Sequence, residues 1–169
     1  LRDQLEAASK NHYIDYTIHA SIFTPQQISE MPYCIEKGIT SFKIYMNLGG
    51  DVGHVYMDMS PYSSKLSEAT VDVNDKLVEE IVKTAASLGC PVLVHAEDYE
   101  SCACGIKTAK EKKRDGLPAW SESRSPEFEA KAIKTVSKFG RDYGCTIYFV
   151  HIGSQKALQQ IKEERKLGT

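Results

Sequence analysis

Three short apolar runs stand out along an otherwise mixed chain. Pro91-Val92-Leu93-Val94 leads straight into His95, Ala96, Glu97 and Asp98, with Gly89 before it and a polar stretch after it. Thr146-Ile147-Tyr148-Phe149-Val150 runs into His151 in the same way, and Thr40 to Met46 carries Lys43 inside an apolar run. Continuous apolar runs of this length read as strands buried on both faces, the kind found in parallel sheets covered by helices. Tyr13 to Phe23, rich in aromatic and β-branched residues, reads as a further strand.

Between these runs the period changes to that of a helix. Residues 1–11 have the pattern of a helix end. Thr24-Pro25 places a cap residue before a proline at the first helical position. Pro32 is expected to interrupt that helix, leaving one more turn before Gly38 ends it. Leu77, Val78, Ile81, Val82, Ala85 and Leu88 fall on one stripe, capped by Asp72 or Asn74 and stopped by Gly89. Ser125-Pro126-Glu127 opens a helix with a cap, a proline and an acid facing the helix dipole. Its stripe is Phe128 or Ala130, then Ala132, Ile133, Val136 and Phe139, and Gly144 ends it. A last helix starts at Gly153-Ser154 and runs through Ala157, Leu158 and Ile161. Two long polar connections read as loops: Asn47 to Val73, which includes His54, and Tyr99 to Arg124, which includes Trp120. Connections of that length are usually functional or mobile.

After a leading helix remnant the order is β-α-β-α-β-α-β-α, which means parallel strands with right-handed crossovers. The fold class is α/β. Four βα units are half of a (β/α)8 TIM barrel, or else a complete small open sheet. At 169 residues the chain is read as one domain over 1–169.

Charge and composition narrow the function. A net charge of −2 leaves no electrostatic footprint for nucleic acid or for a membrane surface. No apolar run approaches the roughly 18 residues of a transmembrane helix. The opening Leu1-Arg2-Asp3-Gln4-Leu5-Glu6 reads as helix and not as a signal peptide. Without an initiator Met, the chain is expected to be processed or part of something longer. Five cysteines, an odd number in a chain with a good apolar core, point to a reducing compartment, read as the cytoplasm. Cys90 and Cys145 read as small buried hydrophobes. Cys102-Ala103-Cys104 reads as a loop thiol pair, because a zinc site needs a second pair of ligands.

Lys43, His95 and His151 each fall at or near the carboxyl end of a predicted parallel strand, where chemistry gathers in such sheets. Neighbouring strands lie roughly 4.8 Å apart, so three such ends can converge. Imidazole ligates zinc, iron, nickel and cobalt. A free lysine is cationic and ligates only when deprotonated or converted to an anion. Singly, each residue has a plainer role: a hydrogen-bonded strand-end His, or a Lys whose head escapes to solvent. The agreement of three equivalent positions favours a site.

These residues also carry a resemblance. Gly38-Ile39-Thr40-Ser41-Phe42-Lys43, Val94-His95-Ala96-Glu97-Asp98, Ser123-Arg124-Ser125-Pro126-Glu127 with its helix, and Val150-His151-Ile152 resemble, in order and spacing, the central part of the cyclic amidohydrolases. This group comprises the hydantoinases, dihydropyrimidinases, allantoinases and dihydroorotases, and the match spans essentially the whole chain. The resemblance implies a (β/α)8 barrel of which this chain supplies strands three to six, and a centre of two divalent metal ions, commonly zinc. It implies that Lys43, as a carbamate, bridges the metals from the fourth strand. His95 on the fifth strand and His151 on the sixth would ligate the second metal. The metals would polarise the carbonyl of a small cyclic amide and lower the pKa of a bridging water.

Two family features are absent from the sequence: an H-x-H pair from a first strand, and an Asp from an eighth strand that serves as ligand and general base. The tyrosine that hydantoinases usually carry five residues after the lysine is Leu48 here, while Tyr45 shares the strand face of Lys43. No catalytic residue is therefore assigned, and little or no activity is expected of this segment alone, with metal absent or partly bound. Glu97 and Asp98 read as carboxylates that orient the histidine. Arg124 reads as solvated or as a contact for an anionic group, and Trp120 as a lid anchor or a residue buried beneath the loop. A half-barrel would expose apolar side chains around Phe42, Leu93 and Phe149, so a homo-oligomer is expected. The competing reading is a self-contained open-sheet binding domain, or a non-catalytic scaffold relative.

Overall fold

In a computed structural model that describes residues 1–49, 54–58 and 66–168, the chain runs through α1 (Arg2–Asn11), β1 (Ala20–Ser21), α2 (Pro25–Ile28), α3 (Met31–Glu36) and β2 (Phe42–Tyr45). It continues through β3 (His54–Asp58), β4 (Leu66–Thr70), α4 (Asp75–Ser87), β5 (Val92–His95), α5 (Tyr99–Glu111), α6 (Gly116–Glu122), α7 (Pro126–Tyr143), β6 (Ile147–Phe149) and α8 (Gln155–Lys166). Four strands form one parallel sheet in the order β1-β2-β5-β6. The chain is an α/β protein with the architecture of a partial (β/α)8 barrel.

Register decides the two faces of this sheet. Phe42 pairs with Val92 and Val92 with Ile147, while Ile44 pairs with Val94 and Val94 with Phe149. Side chains alternate along a strand, so these six share one face. Phe42, Ile44, Val92 and Val94 on that face are fully buried. They join one core with the apolar stripe of α4 (Leu77, Val78, Ile81, Val82, Ala85) and that of α7 (Ala132, Ile133, Val136). The other face carries Lys43, Tyr45, Leu93, His95 and Tyr148, and Tyr148 is 61% exposed. The uncovered face is therefore not the one bearing Phe42 and Phe149, as the sequence reading has it. Those two point into the helix layer, and the open face mixes polar and aromatic groups.

Helix starts follow their caps. The Asn74 side chain accepts from Leu77 N and starts α4, while Asp98 does the same for α5 through Ser101 N. Ser154 accepts from Ala157 N at the head of α8. The helix opened at Pro25 is short, as expected around Pro32: it stops at Ile28, and Pro32 sits in the first turn of a second short helix, α3, where its missing N–H costs nothing.

Four expectations are corrected. The strand read over Tyr13–Phe23 contracts to Ala20–Ser21, with Tyr13 and Ile14 exposed before it. The connection Asn47–Val73 contains an antiparallel hairpin, β3 with β4, in which His54 pairs with Thr70. His54 thus starts a strand, and its side chain lies outside the described residues. The segment Tyr99–Arg124 is not a loop but two helices, α5 and α6. Cys102 is the one buried residue of α5 and Ala119 that of α6, so neither helix has an apolar stripe wide enough to read in sequence. The two helices meet closely at Gly105, where a Cβ would stand 2.6 Å from the Ser123 carbonyl oxygen. On α5, Cys102 is buried and Cys104 exposed, so the two thiols point apart and form no pair.

Candidate functional site

His95 is the last residue of β5 and pairs in register with Tyr45. His151 lies two residues beyond β6, in a left-handed conformation with φ 41° that is costly for a residue with a Cβ. The loop after it is fixed by α7: Glu129 accepts from Gly153 N at 2.9 Å and from the Ser154 hydroxyl at 2.7 Å. In this arrangement Nδ1 of His95 and Nε2 of His151 stand 3.1 Å apart, with the ring centres 4.7 Å apart.

The far nitrogen of His95 is also engaged. Nε2 lies 3.3 Å from Oε2 of Glu97, which accepts from Arg124 Nη1 at 2.6 Å. Burial pushes the Glu97 carboxyl up, but hydrogen bonds from His95 and Arg124 and the charge of Arg124 outweigh it and hold the group at about 2. An ionised carboxylate only accepts, so a neutral His95 bonded to it would carry its proton on Nε2 and keep a lone pair on Nδ1. In that form Nδ1 faces His151 Nε2 as an acceptor or as a ligand for a cation.

Lys43 is buried on the same sheet face. Its Nζ donates to the Ile44 carbonyl at 3.0 Å and lies 3.8 Å from the Tyr45 ring centre. The Tyr45 ring in turn stands 6.0 Å from that of His95. Burial lowers the Lys43 pKa from 10.5 to about 8, so a sizeable share of the side chain is neutral near physiological pH.

Asp98 turns elsewhere. Its carboxylate accepts from Ser101 N and Lys131 Nζ, which leaves Glu97 as the carboxylate at His95. Trp120 is not buried beneath the segment: it is 60% exposed, with the Arg124 guanidinium 4.1 Å from its ring centre. One residue at this site escapes the sequence reading: Glu129 sits on an ordinary polar helix face, and the sequence carries no signal of its partnership. Arg124, read as solvated or as a contact for an anionic group, contacts the Glu97 carboxylate.

His95, Glu97, Arg124, Glu129, His151 and Ser154 line one cleft of about 320 Å³ at the carboxyl ends of β5 and β6. A larger cavity of about 530 Å³, between α5, α6 and α7, contains neither histidine. Among the described residues, no group of three or more His, Cys, Asp and Glu is placed to hold a metal ion. The donor set for a cation in this cleft is the imidazole pair; Lys43 is not among the residues that line it, and its Nζ turns to the Ile44 carbonyl. The pair fits a metal geometrically. Two nitrogens at a Zn–N distance of about 2.05 Å in a tetrahedron are roughly 3.3 Å apart.

A parallel α/β sheet with its polar groups collected at the carboxyl ends of the strands is the layout of barrel enzymes. Comparison with known proteins places the chain more narrowly. It is 28% identical over 168 residues to an allantoinase of Solibacter usitatus, covering 99% of this chain and 32% of that protein. It is 28% identical over 158 residues to a D-hydantoinase of Geobacillus stearothermophilus, covering 92% of this chain and 30% of that protein. The solved structure of a D-hydantoinase (dihydropyrimidinase) from a Thermus species superposes with a TM-score of 0.77 at 22% identity, over 98% of this chain and 33% of that one. No protein-family model matches. Dihydropyrimidinases and a dihydroorotase are also among the relatives, so over nearly all its residues the chain is homologous to the cyclic amidohydrolases. It spans about a third of the length of the relatives it matches.

Proposed function

We propose that these 169 residues, as one domain, supply strands three to six of a metal-dependent hydrolase that opens the C–N bond of a small cyclic amide. Hydantoin, dihydropyrimidine, allantoin and dihydroorotate are the candidate rings. The observation that carries this reading is the mutual aim of His95 Nδ1 and His151 Nε2 at 3.1 Å. Their spacing suits one ion, and the order of motifs around them is that of the cyclic amidohydrolases.

In this reading His95 and His151 hold one ion, and Lys43, as a carbamate, bridges it to a second. Carbamate formation needs a neutral amine, which the buried Lys43 supplies more readily than an exposed lysine does. Glu97 keeps the His95 ring oriented. Two divalent ions, zinc by the nature of the donors, would polarise the amide carbonyl and acidify a bound water. The sequence has no H-x-H pair, so the chain alone is expected to bind metal partly and turn over little or nothing. The open face bearing Leu93 and Tyr148 is expected to be covered in a homo-oligomer. Five free thiols support a reducing compartment such as the cytoplasm. No helix among the described residues is long and apolar enough to cross a membrane.

Zinc titration of the full chain against a chromophoric chelator tests the reading, with the four ring substrates assayed in parallel. The expected result is weak zinc binding that is lost in His95→Ala and His151→Ala, with little or no ring opening. Zinc binding unchanged in both variants, or robust turnover by this chain alone, would overturn it.

A further inference from the structure

Arg124 sits in the turn between α6 and α7, and Trp120 on α6, far along the chain from His95. Their side chains nevertheless form an unbroken line to it. The Trp120 ring stacks on the Arg124 guanidinium at 4.1 Å, Arg124 Nη1 donates to Glu97 Oε2 at 2.6 Å, and the same oxygen faces His95 Nε2 at 3.3 Å. The Arg124–Glu97 pair is largely shielded, with side-chain exposures of 22% and 15%. Shielding makes its geometry count for more than that of a surface ion pair. Arg124 Nε is buried without a hydrogen-bond partner among the described residues, a loss that the ion pair and the ring contact must offset. Trp120, mostly exposed, contributes little to the core, so its contact with Arg124 is its evident role.

The chemistry of this line runs one way. A guanidinium only donates and a carboxylate only accepts. Arg124 therefore fixes the Glu97 side chain and keeps one of its oxygens turned to His95. A neutral imidazole carries a single N–H, so holding that hydrogen on Nε2 leaves Nδ1 bare.

We propose that Arg124 and Trp120 are positioning residues which, through Glu97, hold His95 in the Nε2–H tautomer with its Nδ1 lone pair turned to His151. The proposal rests on the metal-binding reading above and extends it to two residues that would act on the histidine pair through Glu97. Relatives lacking an Arg–aromatic pair here would have to orient this ring by another group.

The test is a long-range ¹⁵N–¹H spectrum of the metal-free, ¹⁵N-labelled full chain, recorded at a pH where ordinary imidazoles are neutral. The His95 signals are assigned from a His95→Gln sample. The wild-type chain is expected to show the Nε2–H pattern at His95. Arg124→Met keeps an apolar stem and removes the donor; it is expected to give a tautomer mixture and to weaken zinc binding by about 10- to 100-fold. Arg124→Lys, which restores a donor, is expected to recover most of both. Trp120→Ala reads the same signature should Arg124→Met fail to fold by circular dichroism. A His95 tautomer that stays as in the wild type in both Arg124→Met and Trp120→Ala would overturn the proposal. So would an equal loss of zinc affinity in Arg114→Met, an exposed control that pairs with Glu122. A wild-type chain that binds no zinc would end the metal reading alone, because the tautomer is read without metal.

Discussion

His95 and His151 come from adjacent parallel strands by different routes, yet Nδ1 of one reaches within 3.1 Å of Nε2 of the other. His95 points off the last residue of its strand. His151 is brought back by a left-handed turn beyond β6 and held by a loop that α7 anchors through Glu129. A backbone conformation of this kind costs on the order of 1–3 kcal/mol and persists only where its surroundings impose it.

Glu129 is accordingly expected to matter beyond its own hydrogen bonds. Glu129→Ala removes the acceptor for Gly153 N and the Ser154 hydroxyl, and should cost about 1–3 kcal/mol. Amide hydrogen exchange at Gly153 should speed up while that of the β5 core stays slow. An unchanged Gly153 rate would show that Glu129 does not hold the loop.

Lys43 gives a pH signature. Its pKa is about 8 in the folded chain and ordinary, near 10.5, when unfolded. Between those values the unfolded state binds more protons, so stability should rise as pH increases from about 8 to 10.5. Lys43→Met should lack this contribution, and the two profiles should differ by roughly 2–3 kcal/mol across the window. Urea unfolding of both proteins in carbonate-free buffer at its two ends measures the difference. Parallel profiles would mean that the lysine head is not buried.

The contact between α5 and α6 depends on a bare backbone at position 105. In Gly105→Ala the new Cβ would lie 2.6 Å from the oxygen and 2.9 Å from the Cα of Ser123, and backbone cannot swing aside as a side chain can. Overpacking should cost about 1–3 kcal/mol and outweigh the roughly 1 kcal/mol that alanine gains over glycine within a helix. Thermal unfolding should report a lower midpoint; an unchanged or raised one would contradict this packing.

Thiol reactivity should separate the two cysteines of α5. Burial, with the nearby Glu97 charge, pushes the Cys102 thiol up to about 12, and burial pushes Cys145 to about 11. Cys104 is exposed. Brief iodoacetamide treatment at pH 8 should alkylate Cys104 and spare Cys102 and Cys145 until denaturant is added, as peptide mapping would show. Equal labelling of Cys102 and Cys104 in the native chain would contradict the helical placement.

The sequence by itself determined the strands at Lys43, His95 and before His151, the α4 and α7 stripes and the start of α8 at Gly153-Ser154, and it set His95 and His151 at strand ends, while Lys43 stands second in β2, in register with Leu93. Apolar period and capping chemistry are local, so a stretch of a few residues records them. Tertiary structure alone decided the rest. It made helices of Tyr99–Arg124, whose apolar stripe is too thin to read, and drew a hairpin out of a glycine-rich connection. It turned Phe42 and Phe149 toward the helices and left Leu93 and Tyr148 on the open side, because the choice of face depends on which neighbours cover the sheet. It also gave Glu97, not Asp98, to His95, and gave Arg124 to Glu97 across 27 residues. Such pairings are set by the distance between folded elements, and one strand or helix read alone does not contain that distance.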